Sequence, residues 1–235
     1  MGAERKSAVI SEETAKLTAY HEGGHAIVAL KTPGADPIHK ATIMPRGSAL
    51  GMVMQLPEGD QKSMSRKQML ARLDVCMGGR VAEEMMFGPE NVTSGASSDL
   101  QQATRLANAM VTRYGMSEKV GKVFISDQRD EGGETRAAID EEVKRLLDES
   151  YTRAKALLES NRRDLERVAQ ALLVHETLTG AEINEVLGGG KIKREINTGP
   201  MQRAKGATAV VGPTKQAVAV GGTPAGAKAK ANSQA

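Results

Sequence analysis

The spacing of apolar residues along the chain predicts a series of amphipathic helices. Apolar side chains recur at three- and four-residue steps, which is the period of a helix that buries one face. Ser11, Ser98 and Thr179 stand at positions where a hydroxyl can cap the first turn of a helix. We expect helices over residues 11–31, 65–86, 98–113, 135–160, 164–174 and 179–187.

Between the first two helices the pattern changes to that of short strands. Residues 38–43 carry β-branched side chains between two prolines, and residues 51–56 alternate in polarity after a turn over residues 45–48. These two segments predict a β-hairpin, and residues 120–125 predict a further short strand. The expected fold class is therefore mainly α, a helical domain with a small β-hairpin.

The composition divides the chain near residue 190. From Lys191 onward there are 8 Lys/Arg and 1 Asp/Glu, so the preceding residues carry 24 basic and 28 acidic side chains. This final part is a mixture of Gly, Ala, Lys, Thr and Pro with no period, which is typical of disorder. We expect a short linker over residues 1–10, a folded domain over 11–190 and a disordered basic tail over 191–235. The tail has no aromatic side chains to stack on bases, so it does not indicate nucleic-acid binding.

Cysteine content and hydropathy argue against a disulfide-stabilised fold and against a membrane-spanning helix. Cys76 is the single cysteine, so no internal disulfide can form, and its position on an apolar helical stripe indicates a core residue. No apolar run approaches the roughly 20 residues that a bilayer-spanning helix needs. The sequence therefore predicts no transmembrane helix of its own.

The strongest chemical pattern is the H-E-x-x-H formed by His21, Glu22 and His25 in the first predicted helix. Four residues are about one helical turn, so the two imidazoles lie about 5–6 Å apart at Cβ and can reach one metal ion. Zinc binds such a pair together with a carboxylate, and it lowers the pKa of a water to about 7. Glu22, about a quarter-turn away, can then accept the proton of that water. The pattern predicts a zinc metallopeptidase; the alternative is a histidine pair on an ordinary amphipathic helix.

Spacing alone does not decide the third metal ligand. A third histidine in the longer H-E-x-x-H-x-x-G-x-x-H pattern would stand at the position of Lys31, so that arrangement is excluded. Asp99 is expected at the start of a helix among small residues, where the helix dipole by itself also favours an acid. The candidates among the carboxylates are Asp74, Glu83, Glu84 and Asp99. The choice between Asp99 and the Glu83–Glu84 pair remains open on this evidence.

Two further features predict close approach around the motif helix. Gly23-Gly24 and Gly78-Gly79 lie inside predicted helices, where each glycine costs about 1 kcal/mol relative to alanine. We interpret both pairs as points where another backbone or a substrate passes close. An edge strand beside a protease site can pair with an extended polypeptide. We therefore predict that Gly51, Met52 and Val53 bind substrate; the alternative is a hairpin that only packs on the helix.

Several stretches resemble the peptidase domain of the FtsH family of membrane-anchored AAA metalloproteases, closest to the mitochondrial i-AAA branch. These are residues 17–25, 39–47, 49–52, 78–84, 92–100 and 176–178, and the resemblance extends over roughly residues 1–187. It implies that His21, His25 and Asp99 bind Zn²⁺, that Glu22 is the catalytic base, and that Glu83 or Glu84 orients a ligand imidazole. It also implies a mostly helical domain in a hexameric ring, which degrades unfolded polypeptides delivered by an ATPase module.

The sequence departs from this family in one respect. It contains no G-x-x-x-x-G-K-[ST] phosphate loop, so we expect ATP dependence, and any membrane attachment, only through a missing N-terminal part. The expected function is a zinc metalloendopeptidase acting on unfolded or damaged proteins, membrane proteins among them, as the proteolytic part of an ATP-dependent FtsH-type protease. The alternative is a non-catalytic module that co-assembles with full-length subunits and regulates their ring. The resemblance implies a mitochondrial inner-membrane location, with the chloroplast as the alternative.

Overall fold

The fold consists of helices packed on one another, with a small sheet beside the first of them. The computed structural model describes residues 10–45, 49–57, 59, 63–126, 132–192 and the backbone of 203–204. The helices in this part of the chain are α1 (Glu12–Lys31), α2 (Arg66–Phe87), α3 (Ser97–Thr112), α4 (Gly133–Ser160), α5 (Arg162–His175) and α6 (Gly180–Leu187). The strands are β1 (Ile10–Ser11), β2 (Ile38–Thr42), β3 (Met52–Gln55), β4 (Thr177–Thr179) and β5 (Arg203–Ala204).

The predicted fold class, mainly α with a small sheet, is confirmed. The six helices coincide with the six segments expected from apolar periodicity. None of the helices in the described ranges is long and apolar enough to cross a bilayer. The predicted linker and most of the predicted tail lie outside the described residues, so the proposed domain boundaries stay predictions.

Local capping explains where several helices begin. The Ser11 hydroxyl accepts a hydrogen bond from the Thr14 amide, which caps α1. Thr179 and Glu182 form the expected capping box at α6. The cap predicted at Ser98 is wrong, because α3 continues directly from a 3₁₀ turn and has no side-chain cap.

The helices α1 and α2 cross at the two glycine pairs noted in the sequence. A Cβ atom on Gly24 would lie 2.3 Å from the carbonyl oxygen of Gly78, and one on Gly78 would lie 2.8 Å from the carbonyl oxygen of Gly24. The backbones therefore touch, and no side chain larger than hydrogen fits between them. His25 lies beside Val75 and His21 beside Glu83, so the two helices run antiparallel through this contact.

The core around this crossing is aliphatic, as the low aromatic content requires. The fully buried side chains include Ile27 of α1, Leu73 of α2, Leu146 and Leu158 of α4, and Leu165 of α5. Burying each such side chain contributes about 1.5–3 kcal/mol. Cys76 is also buried here, as expected from its position on the stripe. This packing buries most of α1, including Glu22 and His25 of the H-E-x-x-H motif.

The described strands form a three-stranded sheet beside α1 in the order β3-β2-β4, with both pairs antiparallel, and a separate parallel pair of β1 and β5. The hairpin of β2 and β3 was predicted, whereas β4 was not. Glu176 ends α5 in the left-handed region with φ of 61°, and its carbonyl accepts a hydrogen bond from the Ile43 amide. This turn brings β4 alongside β2, a pairing between distant segments that alternation within one segment does not reveal. The strand expected over residues 120–125 is wrong, because that segment is a loop.

Glu142 provides a pH-dependent contribution to stability. It is buried and accepts hydrogen bonds from Arg145 and Ser117, at 2.8 and 2.7 Å, and these lower its pKa to about 2. A lowered folded-state pKa stabilises the protein above the unfolded-state pKa of about 4.3, and this contribution disappears as the pH falls toward 2. We expect Glu142→Gln to lower the free energy of unfolding by about 1–2 kcal/mol at pH 6. This value is kept small because Arg145 is partly exposed and solvent weakens its interaction with Glu142.

Urea unfolding of wild type and variant at several pH values between 6 and 2.5 measures this difference, which should shrink below pH 4.5. Glu141→Gln is the matched control, because Glu141 pairs with Lys119 on the surface; it should change stability by less than about 1 kcal/mol. A Glu142→Gln penalty of the same size at every pH would contradict the assignment.

Candidate metal centre

The structure brings together the two motif histidines and Asp99. The Nε2 atoms of His21 and His25 lie 3.1 Å apart, and the Asp99 Oδ2 atom lies 3.3 Å from the first and 3.4 Å from the second. These three residues form the group of candidate metal ligands found in the described ranges. His21 and His25 come from successive turns of α1, and Asp99 comes from the first turn of α3.

The spacing of these three atoms suits a tetrahedral metal ion. A zinc ion with bonds of about 2.0–2.1 Å holds its ligand atoms about 3.3–3.4 Å apart. The observed separations of 3.1, 3.3 and 3.4 Å are close to that value. Two imidazoles and one carboxylate also match the donor set of catalytic zinc sites, which keep a fourth position open.

A stripe of α2 orients both imidazoles. Val75, Gly79 and Glu83 are four residues apart, so they share one face of that helix. The Val75 carbonyl accepts a hydrogen bond from Nδ1 of His25 at 2.7 Å, and Oε1 of Glu83 accepts one from Nδ1 of His21 at 2.7 Å. Because both Nδ1 atoms donate to α2, the Nε2 atom of each ring is the one that would bind a cation.

Gly79 provides the space that the two imidazoles require. A Cβ atom there would lie 2.5 Å from Nε2 of His21 and 2.6 Å from Nε2 of His25. Any side chain at this position would therefore displace the two Nε2 atoms that are candidates to bind a metal ion. Gly79 thus leaves room for the two imidazoles, whereas Gly78 leaves room for the crossing of α1 and α2.

His21 and Asp99 shift each other's pKa values strongly. Burial lowers the pKa of His21, but hydrogen bonds with Asp99 and Glu83 outweigh it and raise the pKa to about 10. Burial raises the pKa of Asp99, but hydrogen bonds with the two histidines outweigh it and hold that pKa well below its usual range. The carboxylates thus favour a proton on His21, and this proton must leave before the imidazole can bind a metal ion.

Glu22 is buried next to this group and beside the start of β3. Burial raises its pKa to about 7, partly countered by the nearby histidines. A Cβ atom on Gly51 would lie 2.5 Å from Oε1 of Glu22. Gly51 therefore packs directly on the carboxylate, so the entry to β3 and Glu22 are in contact. Met52 and Val53 follow in β3, one of the two edge strands of the three-stranded sheet, and both are half-buried.

The other candidate carboxylates have different partners. Asp74 binds Arg153 through both oxygens, with Nη2 to Oδ1 at 2.8 Å and Nε to Oδ2 at 3.0 Å. Glu84 accepts hydrogen bonds from Tyr151 at 2.5 Å and Lys155 at 3.2 Å. Of the predicted Glu83–Glu84 pair, Glu83 contacts the imidazole of His21, whereas Glu84 contacts side chains of α4.

Two contributors to the site were not found from the sequence. One is the Val75 carbonyl, and a main-chain atom leaves no signature in residue identity. The other is Thr93, whose amide and hydroxyl both donate to Oε2 of Glu83, at 2.7 and 3.0 Å. Its position in the polar stretch before Asp99 was visible, but its partner lies ten residues earlier on another element.

Comparison with known proteins agrees with this geometry. The model of peptidase family M41 matches residues 8–186, more than half of the chain. The chain is 59% identical over 187 residues to ATP-dependent zinc metalloprotease FTSH 11, chloroplastic/mitochondrial, of Arabidopsis thaliana, covering 80% of this chain and 23% of that protein. It is 52% identical over 227 residues to ATP-dependent zinc metalloprotease FtsH of Caulobacter vibrioides, covering 91% and 35%.

A third similar protein is ATP-dependent zinc metalloprotease YME1L1 of Mus musculus, 51% identical over 193 residues, covering 82% of this chain and 27% of that protein. The chain thus spans between 23% and 35% of the length of these three relatives. The relatives include organellar and bacterial proteins, and the family predicted from the sequence is confirmed.

Proposed function

Since this chain belongs to peptidase family M41, we propose that it is a zinc-dependent endopeptidase in which His21, His25 and Asp99 hold the metal. The observation that carries this proposal is the set of three ligand atoms 3.1 to 3.4 Å apart beside the buried carboxylate of Glu22. When bound, a zinc ion supplies a Lewis acid that polarises the scissile carbonyl and makes water a stronger nucleophile. The complete ligand set favours this catalytic role over that of a non-catalytic assembly module.

Glu22 is the general base in this proposal. Its carboxyl group is buried, which raises its pKa, and a carboxylate beside the metal position can accept a proton from water. One of its carboxylate oxygens accepts a proton from the attacking water and can later deliver it to the leaving amine. Gly51 packs on Oε1 of this carboxylate, and Glu22 is buried.

The test of the metal assignment is the metal content together with cleavage of an unstructured substrate. We expect wild type to contain one zinc ion per chain and to cleave casein, and a chelator to remove both properties. Asp99→Ala should lower zinc affinity at least about 100-fold, because it removes one of three ligands. Asp74→Ala is the matched control, since Asp74 pairs with Arg153 away from the site; metal content measured on folded protein should be unchanged. Wild type without stoichiometric zinc would overturn the proposal.

We further propose that β3 binds substrate by strand addition. The strand lies at the sheet edge, and Gly51 at its start contacts Glu22. The Leu56 amide donates to the Pro37 carbonyl, toward β2. Because amides alternate in direction along a strand, the Val53 amide faces away from β2 and is available to an extended peptide.

Val53→Pro removes that amide at an edge position where proline is tolerated. We expect KM for an unstructured peptide to rise about tenfold with zinc content unchanged, because a main-chain hydrogen bond to the substrate is lost. Val53→Ala keeps the amide and should leave KM within about twofold. Equal KM values for wild type and Val53→Pro would show that this strand does not pair with substrate.

The wider context of the activity is also proposed. The relatives are named ATP-dependent zinc metalloproteases, some of them chloroplastic or mitochondrial. We propose that this chain corresponds to the proteolytic part of such a protease. In that role it would assemble into a ring with further copies and degrade unfolded polypeptides in an organelle, the mitochondrion being the first candidate.

A further inference from the structure

The two ligand imidazoles are held in different ways. The partner of His25 is the Val75 carbonyl, which the hydrogen-bonded backbone of α2 keeps fixed. The partner of His21 is the carboxylate of Glu83, which lies at the end of a side chain with three rotatable bonds. Glu83 therefore orients His21 only if its own carboxylate is prevented from turning.

Thr93 provides that restraint. Its amide and its hydroxyl both donate to Oε2 of Glu83, at 2.7 and 3.0 Å, while Oε1 faces His21. Hydrogen bonds to both oxygens fix the plane of the carboxylate. Glu83 is 2% exposed, so in the described structure water has little access to replace these contacts.

The same segment of chain carries a metal ligand. The Thr93 hydroxyl also accepts a hydrogen bond from the Gly95 amide at 3.1 Å, which shapes the 3₁₀ turn that leads into α3 and Asp99. Residues 93–99 therefore reach the three candidate metal ligands in two ways. Asp99 is itself one of the three, and Thr93 contacts Glu83, which in turn contacts His21.

Resting on the proposed zinc site, we infer that Thr93 is a positioning residue for the metal centre, which acts through Glu83 on the imidazole of His21. Thr93→Val keeps the β-branched shape and the amide but removes the hydroxyl. We expect it to weaken zinc binding about tenfold, near the lower end of the range for outer partners of metal ligands. Thr93→Ser keeps the hydroxyl and should restore affinity to within about twofold of wild type.

The experiment measures zinc affinity by competition with a chromophoric chelator, and the visible spectrum of the Co²⁺-substituted protein, in the full chain. The variants are Thr93→Val, Thr93→Ser, Glu83→Gln and the double variant Thr93→Val/Glu83→Gln. Thr104→Val is the matched control, since the Thr104 hydroxyl bonds only to the Leu100 carbonyl among the described contacts. Circular dichroism of the metal-free proteins verifies that each variant is folded.

Action through Glu83 requires non-additivity, so the double variant should bind zinc no more weakly than Glu83→Gln alone. Two results would overturn the inference: wild-type affinity in Thr93→Val, or a loss that adds in full to that of Glu83→Gln, which would assign the effect to the turn before Asp99. Failure of wild type itself to bind zinc would instead overturn the proposed function, so the two failures are distinguishable.

Discussion

Replacing Glu22 by Gln is expected to lower the rate of peptide cleavage 10²–10⁴-fold while leaving zinc bound. Gln has nearly the same shape as Glu but cannot accept a proton at neutral pH. Glu22 is not one of the three residues whose atoms converge at 3.1 to 3.4 Å, so the metal ligands remain in place. The loss should appear in kcat more than in KM, because the base acts in the transition state.

The measurement is hydrolysis of a fluorogenic unstructured peptide, which needs no unfolding step, alongside zinc content by mass spectrometry. Glu13→Gln is the matched control, because it makes the same chemical change at an exposed position of α1. Control and wild type should be equally active. If Glu22→Gln cleaved the peptide at the wild-type rate, another group would have to be the base.

Replacing Gly24 by Ala is expected to destabilise the domain by more than about 3 kcal/mol, a large part of the 5–15 kcal/mol typical of a folded protein. The new Cβ would lie 2.3 Å from the Gly78 carbonyl oxygen and 2.6 Å from Cβ of Ala82. These are atoms of another helix backbone and a Cβ fixed to it, so no rotamer change relieves the clash. The helices must separate, which outweighs the gain of about 1 kcal/mol in helix propensity.

Gly23→Ala is the control for this prediction, because it changes the adjacent residue on the same helix. Its Cβ would lie 3.1 Å from a terminal methyl of Leu165, which can shift, and 3.7 Å from the Ala169 amide nitrogen. We expect its stability to remain within about 1 kcal/mol of wild type. Urea unfolding of the three proteins gives the comparison. Equal midpoints for Gly24→Ala and wild type would contradict the direct contact between the α1 and α2 backbones.

The sequence by itself determined those features whose geometry is set within one segment. The period of apolar residues identified the six helices, and the four-residue spacing of His21 and His25 fixed their shared face, because an α-helix has the same pitch wherever it forms. The glycine pairs predicted close approach for the same local reason, since only a missing Cβ allows it.

Only the tertiary structure decided which distant groups meet this pair. Asp99 lies in the first turn of α3, and Glu83 lies on one face of α2. Both are acidic, and nothing in their sequence separation from His25 distinguishes a metal ligand from a residue that orients a ligand. The distinction follows from the contact of Gly24 with Gly78, which sets the α2 stripe of Val75, Gly79 and Glu83 against the imidazoles. The placement of β4 and the role of Thr93 likewise arise from contacts between separate elements, whose distances depend on the packing of the whole core rather than on any local period.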